Sequence, residues 1–236
     1  MPPRKRLSYH RLMISVIVPV LNESVALPVF LKALREQRGT FEVIVVDGGS
    51  DDGTPEIAAG DPSVHLLRSA RGRGCQMNAG AALARGDTLL FLHADTRLAP
   101  GAIELLDGAS ATAWQAGAFT HSFSPTDWRL RLLSAAHNFR CRWTRVYYGD
   151  QAIFVRKTLF ERVGGFPDVP MLEDVIFCER LRPLTRAVLL PQTISTDPRR
   201  FLHHGVWRSI ARGVTIVVRH RLGLRVSGRG FSDPVR

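Results

Sequence analysis

Two continuous runs of apolar, largely β-branched residues constrain this chain most: residues 14–20 and residues 42–46. Neither run alternates apolar with polar, so each reads as a strand buried on both faces. Between them Leu27, Phe30, Leu31 and Leu34 recur at helical spacing, Asn22 stands where it can cap that helix, and Gly39 follows its last turn. The alternation continues with a short strand over 64–67, a loop over 68–74, a helix over 75–84 closed by Gly86, and a strand over 88–92. This order predicts an α/β fold with a mostly parallel, doubly wound sheet flanked by helices. Such sheets bind ligands beyond the carboxyl ends of their strands. The segments 19–23, 47–52 and 93–95 all fall at that edge.

The second half is less regular. Residues 117–124 read as a strand, and 128–143 as a helix with Leu132, Ala136, Phe139 and Trp143 on one face. A strand over 152–156 leads to a short helix over 157–163, closed by Gly164-Gly165. A helix over 173–182 stops at Pro183, and two strands, 188–190 and 193–196, follow. In the last helix Val206, Ile210, Val214 and Val217 make an apolar stripe, with Arg208, Arg212 and Arg219 around it. The expected organisation is a basic extension over 1–12 and one domain over 13–225. That domain divides into a regularly alternating half (13–100), a less regular half (101–202) and a carboxyl-terminal amphipathic helix (203–225).

No window of 18 consecutive apolar residues exists, which argues against a transmembrane helix. The apolar run after the basic start is short and meets Asn22-Glu23 at once, so it reads as a strand and not a signal peptide. Cys75, Cys141 and Cys178 are odd in number and lack metal-ligand spacing, which fits thiols in a reducing compartment. The net charge of +11 is carried mostly by arginine, whose bidentate fork suits phosphate. Nucleic acid, an anionic membrane surface and phosphate-bearing substrates all remain open on charge alone.

Several residues carry candidate chemistry. Asp95, at the end of a buried strand, either holds a divalent cation such as Mg²⁺ or Mn²⁺ or closes a turn. Asp47 stands in a glycine-rich loop where it can accept a hydrogen bond from a base or ribose, while Asp51 and Asp52 suit the cap of a helix near Thr54. Arg71-Gly72-Arg73-Gly74 precedes a helix, a combination that favours anions. Glu173-Asp174 opens a helix; a carboxylate there either removes a proton from an acceptor hydroxyl or simply complements the helix dipole. Gly149-Asp150-Gln151 is a polar turn able to meet a sugar, and Arg199 and Arg200 can grip phosphate oxygens. The adjacent His203-His204 does not suit one shared ion.

In their order these segments resemble family 2 glycosyltransferases, which adopt the nucleotide-sugar-binding GT-A fold. The resemblance rests on residues 16–23, 42–54 and 71–80, on Phe91-Leu92-His93-Ala94-Asp95-Thr96, and on Tyr148-Gly149-Asp150-Gln151, Gly164-Gly165-Phe166 and Leu172-Glu173-Asp174. It covers residues 13–201. The His-Ala-Asp form, Tyr148-Gly149-Asp150-Gln151 and Arg199-Arg200-Phe201 are similar to a small subgroup associated with arsenosugar biosynthesis or selenium genes.

The resemblance implies roles. Pro19 and Glu23 would border the nucleotide, Asp47 would meet the base, usually uracil, and Arg73 or Arg71 would approach base or phosphates. His93 and Asp95 occupy the family's Asp-x-Asp position. Asp95 is then a metal ligand, and His93 contacts nucleotide or metal. Asp174 would be the general base with Glu173 beside it. Gly149, Asp150 and Gln151 would face acceptor or sugar, and Arg199 and Arg200 phosphate. The implied reaction is metal-dependent, inverting transfer of one sugar from a nucleotide-diphosphate donor to a small-molecule or lipid-linked acceptor. Its expected place is cytoplasmic, with peripheral contact to the inner face of the membrane. Three rivals are a sugar nucleotidyltransferase, a nucleic-acid-binding module and a non-catalytic sugar-nucleotide binder. The first strand lacks the glycine-rich basic loop that the nucleotidyltransferase needs, and aromatics do not interleave with arginines as a nucleic-acid reader requires, so nucleic acid is not expected.

Overall fold

The computed structural model describes residues 13–107 and 114–224. The expected extension over 1–12 and residue 225 lie outside the described residues. Four strands come first: β1 (Ile14–Val20), β2 (Phe41–Asp47), β3 (Val64–Arg68) and β4 (Thr88–Phe91). Between them run α1 (Ala26–Arg35), α2 (Thr54–Ala59) and α3 (Arg73–Leu83). After β4 come β5 (Thr96–Arg97), α4 (Ala102–Asp107), β6 (Ala116–Phe123) and α5 (Trp128–Thr144). A 3₁₀ turn (Gly149–Gln151) leads to β7 (Phe154–Arg156), α6 (Lys157–Val163), α7 (Glu173–Leu181), β8 (Val188–Thr196), α8 (Arg199–His204) and α9 (Val206–Arg221).

The described strands form one sheet in the order β3-β2-β1-β4-β7-β6-β8-β5. β1 pairs in parallel with β2 and β4, β2 with β3, and β6 with β8. β7 and β5 run antiparallel to their neighbours. The mostly parallel α/β sheet expected from the sequence is therefore present, with two antiparallel members in its second half.

The continuous apolar runs follow from helices on both faces. In β1, Ile17 points into one core layer while Val16, Val18 and Val20 point into the other; β2 divides in the same way, with Ile44 and Val46 opposite Val43 and Val45. Helices α3, α6 and α7 cover the first layer, and α1 and α4 the second. Gly80 on α3 lets that helix sit directly on the sheet, since a Cβ there would lie 2.5 Å from Ile17 Cγ2. Pro19 lies past the last β1–β4 pair, Ile17 with Phe91, so its missing N–H breaks no bond on that side.

Three local expectations need correction. Asn22 does not cap α1, which starts at Ala26 after Val25. Asn22 adopts positive φ, and its Oδ1 accepts from Asp51 N at 3.0 Å, tying β1's end to the loop after β2. The strands expected over 188–190 and 193–196 are one strand: the register with β6 jumps from Leu190 to Thr193, so a bulge absorbs Pro191. The stripe on the last helix is split, because Val206 is buried and Ile210 packs beside it while Val214 is exposed. The face of α5 carrying Leu132, Phe139 and Trp143, whose side the sequence left open, points to solvent.

Candidate functional site

The loops after β1 and β2 are laced together. Asp47 is almost fully buried, and its carboxylate accepts from Gly49 N at 3.2 Å, from Ser50 N at 3.1 Å and from Ser50 Oγ at 2.5 Å. Its carboxylate therefore first serves to shape its own loop, a use the sequence reading did not give it. Asp52 accepts from Ser24 N at 3.0 Å and from Thr54 N at 3.1 Å, so it steadies the start of α2 and also holds the turn after β1. Burial opposes its charge, but the hydrogen bonds from Thr54 and Ser24 outweigh burial and take Asp52 down to about 2. Glu23 N donates to Thr54 Oγ1 in the same lattice. Gln76, on α3, donates from Nε2 to Val20 O and to Val46 O, each at 2.8 Å. It clamps the ends of β1 and β2, and the sequence reading missed it because no local pattern marks a buried amide on a helix.

Across the sheet edge, β4's end meets the start of α7. Gly149 N donates to Asp174 Oδ2 at 2.6 Å, and a Cβ on Gly149 would lie 2.9 Å from His93 Nε2. His93, Gly149 and Asp174 thus share one junction. Asp174 keeps part of its surface open while dense protein around it desolvates the carboxyl. Burial, with the adjacent Glu173 charge, raises it to about 7; hydrogen bonds from Gly149 and Val175 and the Arg73 charge only moderate the rise. Glu173 is buried, and Arg73 NH1 stands 4.0 Å from its Oε1, which links the start of α3 to the start of α7. Asp95 lies two residues past His93, half-buried, in a turn closed by Thr96 N donating to His93 O at 3.0 Å.

Beside Asp174 sits a nest of imidazoles around Asp150. Asp150 Oδ2 is 3.8 Å from His121 Nε2, and the His121 and His137 rings are 5.5 Å apart. His137 also packs edge-on against Tyr148, and Arg140 stacks over the Tyr148 ring at 4.2 Å. Burial opposes the charge on Asp150, yet His121, His137 and His93 together hold it below the ordinary carboxylate range. Burial pushes His137 below the ordinary imidazole value. Among the described residues, Asp150 Oδ1 and His137 Nε2 are buried without hydrogen-bond partners. The sequence reading missed His121, His137, Tyr148 and Arg140 as members of this nest. They come from β6, α5 and the turn after it, and only the fold joins them.

Gln151 needs a correction. It is fully buried: its Oε1 accepts from Tyr148 N and Cys141 Sγ, and its Nε2 donates to Phe119 O. It fixes the turn that carries Asp150 and offers no group to a sugar. Pro19 is half-buried in β1, and Arg71 is exposed in the loop before α3. Arg199 Nε lies 3.6 Å from Asp197 Oδ2, so its charge is partly engaged. The Arg200 side chain lies outside the described residues. His203 and His204 are exposed and meet edge to face at 4.8 Å, and among the described residues they join no metal-like cluster.

Most of this chain matches a known family. The model described as "Glycosyl transferase family 2" covers residues 15–166. The chain belongs to glycosyl transferase family 2. A PGL/p-HBAD biosynthesis glycosyltransferase of Mycobacterium bovis is 32% identical over 172 residues, 65% of this chain and 63% of that protein. An undecaprenyl-phosphate 4-deoxy-4-formamido-L-arabinose transferase of Pectobacterium carotovorum is 36% identical over 104 residues, 39% of this chain and 32% of its own. This family 2 chain therefore spans less than two thirds of either relative. Two solved structures share its fold. The Pyrobaculum calidifontis mannosyltransferase PcManGT, in complex with GDP-Man and Mn²⁺, superposes with TM-score 0.62 at 24% identity, covering 79% of this chain and 57% of that one. S. aureus TarS 1–349, in complex with UDP-GlcNAc, gives TM-score 0.61 at 20% identity, covering 78% and 58%. The family 2 chain has the GT-A fold of these proteins.

Proposed function

We propose that this family 2 protein transfers one sugar, with inversion, from a nucleoside-diphosphate sugar to an acceptor hydroxyl, with Asp174 as general base. One observation carries the reading: a desolvated carboxyl raised to about 7 and fixed by the Gly149 N–H at the sheet edge. A base poised near neutrality holds an acceptor proton far better than an ordinary carboxylate does. The acceptor oxygen attacks the anomeric carbon from the face opposite the diphosphate. A new carbon–oxygen bond forms, the bond to the diphosphate breaks, and the acceptor proton passes to Asp174. Glu173, through its charge, keeps Asp174 basic. Arg73, next to Glu173 and half exposed, faces the departing diphosphate, and Arg71 stands two residues away.

A divalent cation, Mg²⁺ or Mn²⁺, supplies charge neutralisation at a diphosphate when bound. Among the described residues no group of three or more His, Cys, Asp or Glu side chains could hold a metal by itself. Asp95 with His93 beside it fits an ion that takes its other ligands from substrate phosphates and water, which is the habit of Mg²⁺. Pro19, Glu23 and Asp47 are assigned to the nucleotide, and Asp150 with Gly149 to the acceptor or sugar. The unmet Asp150 Oδ1 and His137 Nε2 support that assignment, because a ligand hydroxyl would satisfy them. Arg199 and Arg200 are assigned to phosphate. The relatives' names and the fold neighbours' ligands support a UDP- or GDP-linked donor and, through the undecaprenyl-phosphate transferase, a lipid-linked acceptor. No helix among the described residues is long and apolar enough to cross a membrane. A cytoplasmic site of action, and kinship with the arsenosugar or selenium-associated subgroup, belong to the same proposal.

A thermal-shift screen of UDP- and GDP-sugars with and without Mn²⁺ tests this reading. A metal-dependent shift with a donor, and an Asp174→Asn variant that keeps the shift but loses transfer, are expected. Release of pyrophosphate from a nucleoside triphosphate and a sugar phosphate would replace it with the nucleotidyltransferase reading.

A further inference from the structure

Helix α5 is apolar on two sides. Inward, Leu130 and Leu133 pack with Phe123 and Val206 beside a row of polar groups. Asn138 brackets the backbone of His121, accepting from its N at 2.9 Å and donating to its O at 2.8 Å. His137 and Arg140 join the Asp150 nest, and Cys141 hydrogen-bonds Gln151. Its outward side carries Trp128, Leu132, Phe139 and Trp143, which are 68%, 57%, 64% and 76% exposed. Spacings of four, seven and four residues set these on one stripe of the helix. Phe139 and Trp143 lean on each other at 6.2 Å. Scattered exposed apolar residues are ordinary, but an aromatic stripe along a whole helix marks an interaction surface.

The surrounding charge selects the partner. From Trp128 to Arg145 the sequence has five arginines and no acidic residue. Arg129 is held by Asp127, and Arg140 lies on Tyr148, both close to the body of the protein. Arg131 and Arg142 are exposed beside the stripe. Tryptophan and phenylalanine at headgroup depth, with arginine reaching lipid phosphate, is the chemistry of a helix lying in a bilayer interface. The net charge of +11 favours the same surface. The stripe runs roughly 22 Å, at 1.5 Å per residue, enough to lie in the membrane plane and too short to span it.

We propose that the outer face of α5 docks the protein on an anionic lipid bilayer. Docking is independent of the glycosyl-transfer reading. One consequence rests on that reading: the Asp150 side of the site, across a helix about 10 Å thick, is brought close to the headgroups, where a lipid-linked acceptor presents its reactive end.

Co-sedimentation with phosphatidylcholine vesicles, with and without phosphatidylglycerol, tests the proposal without any sugar substrate. The full chain is expected to bind only the phosphatidylglycerol vesicles, with a blue shift of tryptophan emission. Phe139→Ser/Trp143→Ser is expected to weaken binding at least about tenfold through lost apolar burial while its melting temperature stays unchanged. Arg131→Glu/Arg142→Glu weakens it too, and salt weakens the wild type. Absence of wild-type binding, or equal binding by the serine variant, overturns the proposal. A steep fall in melting temperature of that variant would mean that the chain itself covers the stripe. A wild-type dimer dissolved by the same substitutions would mean that a second copy does. Either result also overturns it.

Discussion

Gly149 N and Asp174 Oδ2 are joined by a 2.6 Å hydrogen bond that runs from a 3₁₀ turn to the first turn of α7. Asp174 Oδ1 accepts from Val175 N at 2.7 Å, so the carboxyl is oriented from both sides. The bond aligns the group that burial has made basic, and it ties the acidic start of α7 to the imidazole at the end of β4.

The raised Asp174 value sets a pH dependence. Transfer should rise with pH through about 7, the value to which Asp174 is raised, as the carboxyl loses its proton. Glu173→Gln should move that midpoint down, because the Glu173 charge is one of its causes. Asp174→Asn should lower kcat by about 10²–10⁴-fold and leave donor binding intact. For stability the sign is opposite to that of an ordinary paired carboxylate. Between roughly pH 4 and 7 the native state keeps a proton that the unfolded chain has lost, so stability falls as pH rises. Melting curves of wild type and Asp174→Asn should diverge across that window, with the slope lost in the variant.

Gly149→Ala should damage transfer without unfolding the protein. The added Cβ would stand 2.9 Å from His93 Nε2 and 3.7 Å from Asp174 Oδ2, so the imidazole must shift. A loss of about 10–100-fold in kcat/KM is expected from such a displacement. Adding His93→Ala removes the clash, and the double variant should regain alignment of Asp174, read as a pH midpoint restored toward about 7.

Asp150→Asn separates acceptor from donor recognition. Donor thermal shifts should be unchanged, while KM for the acceptor rises about tenfold from the lost charge-assisted hydrogen bond. Asp150 counteracts burial at His137, so the imidazole pKa followed by NMR should fall further in this variant.

Gln76→Leu removes the donor shared by Val20 O and Val46 O inside the protein. Losing these two buried hydrogen bonds should cost about 1–3 kcal/mol in urea unfolding, although Val20 O keeps the one it accepts from Gly48 N at 3.0 Å. Donor binding should weaken as well, since the Asp47 loop begins at one of these strand ends.

Asp52→Ala should cost about 1–2 kcal/mol, as loss of an amino-terminal helix partner does. Because the Asp52 pKa is depressed in the native state, its contribution is present above about pH 4 and lost as pH falls toward its native value of about 2. The wild-type minus variant difference in melting temperature should shrink over that acid range.

Much of the first half was legible in the sequence because its signals are local. Residues 14–20 and 42–46 are apolar except at Ser15 and Glu42, which points to burial on both faces, and the helix between them follows from its period. Placement of Asp47 at the end of β2, and of His93 and Asp95 just past β4, followed from the same alternation. The second half resisted. Pro191 and Gln192 looked like a break and are a bulge within one strand. The apolar stripe of α5 was legible but its side was not: it faces solvent, since periodicity reveals a stripe but not the side on which the domain lies.

What the sequence by itself determined was the α/β sheet, the edge at the carboxyl ends of its strands and the list of residues able to do chemistry there. Only the tertiary structure decided which of them meet. His93 rests on Gly149, Asp174 is fixed by the same glycine, and Gln151 turns inward while Asp150 collects imidazoles from β6 and α5. The physical reason is range. Hydrophobic period and turn chemistry act over a few residues, whereas desolvation and charge pairing depend on neighbours that are distant in the chain and adjacent only after folding.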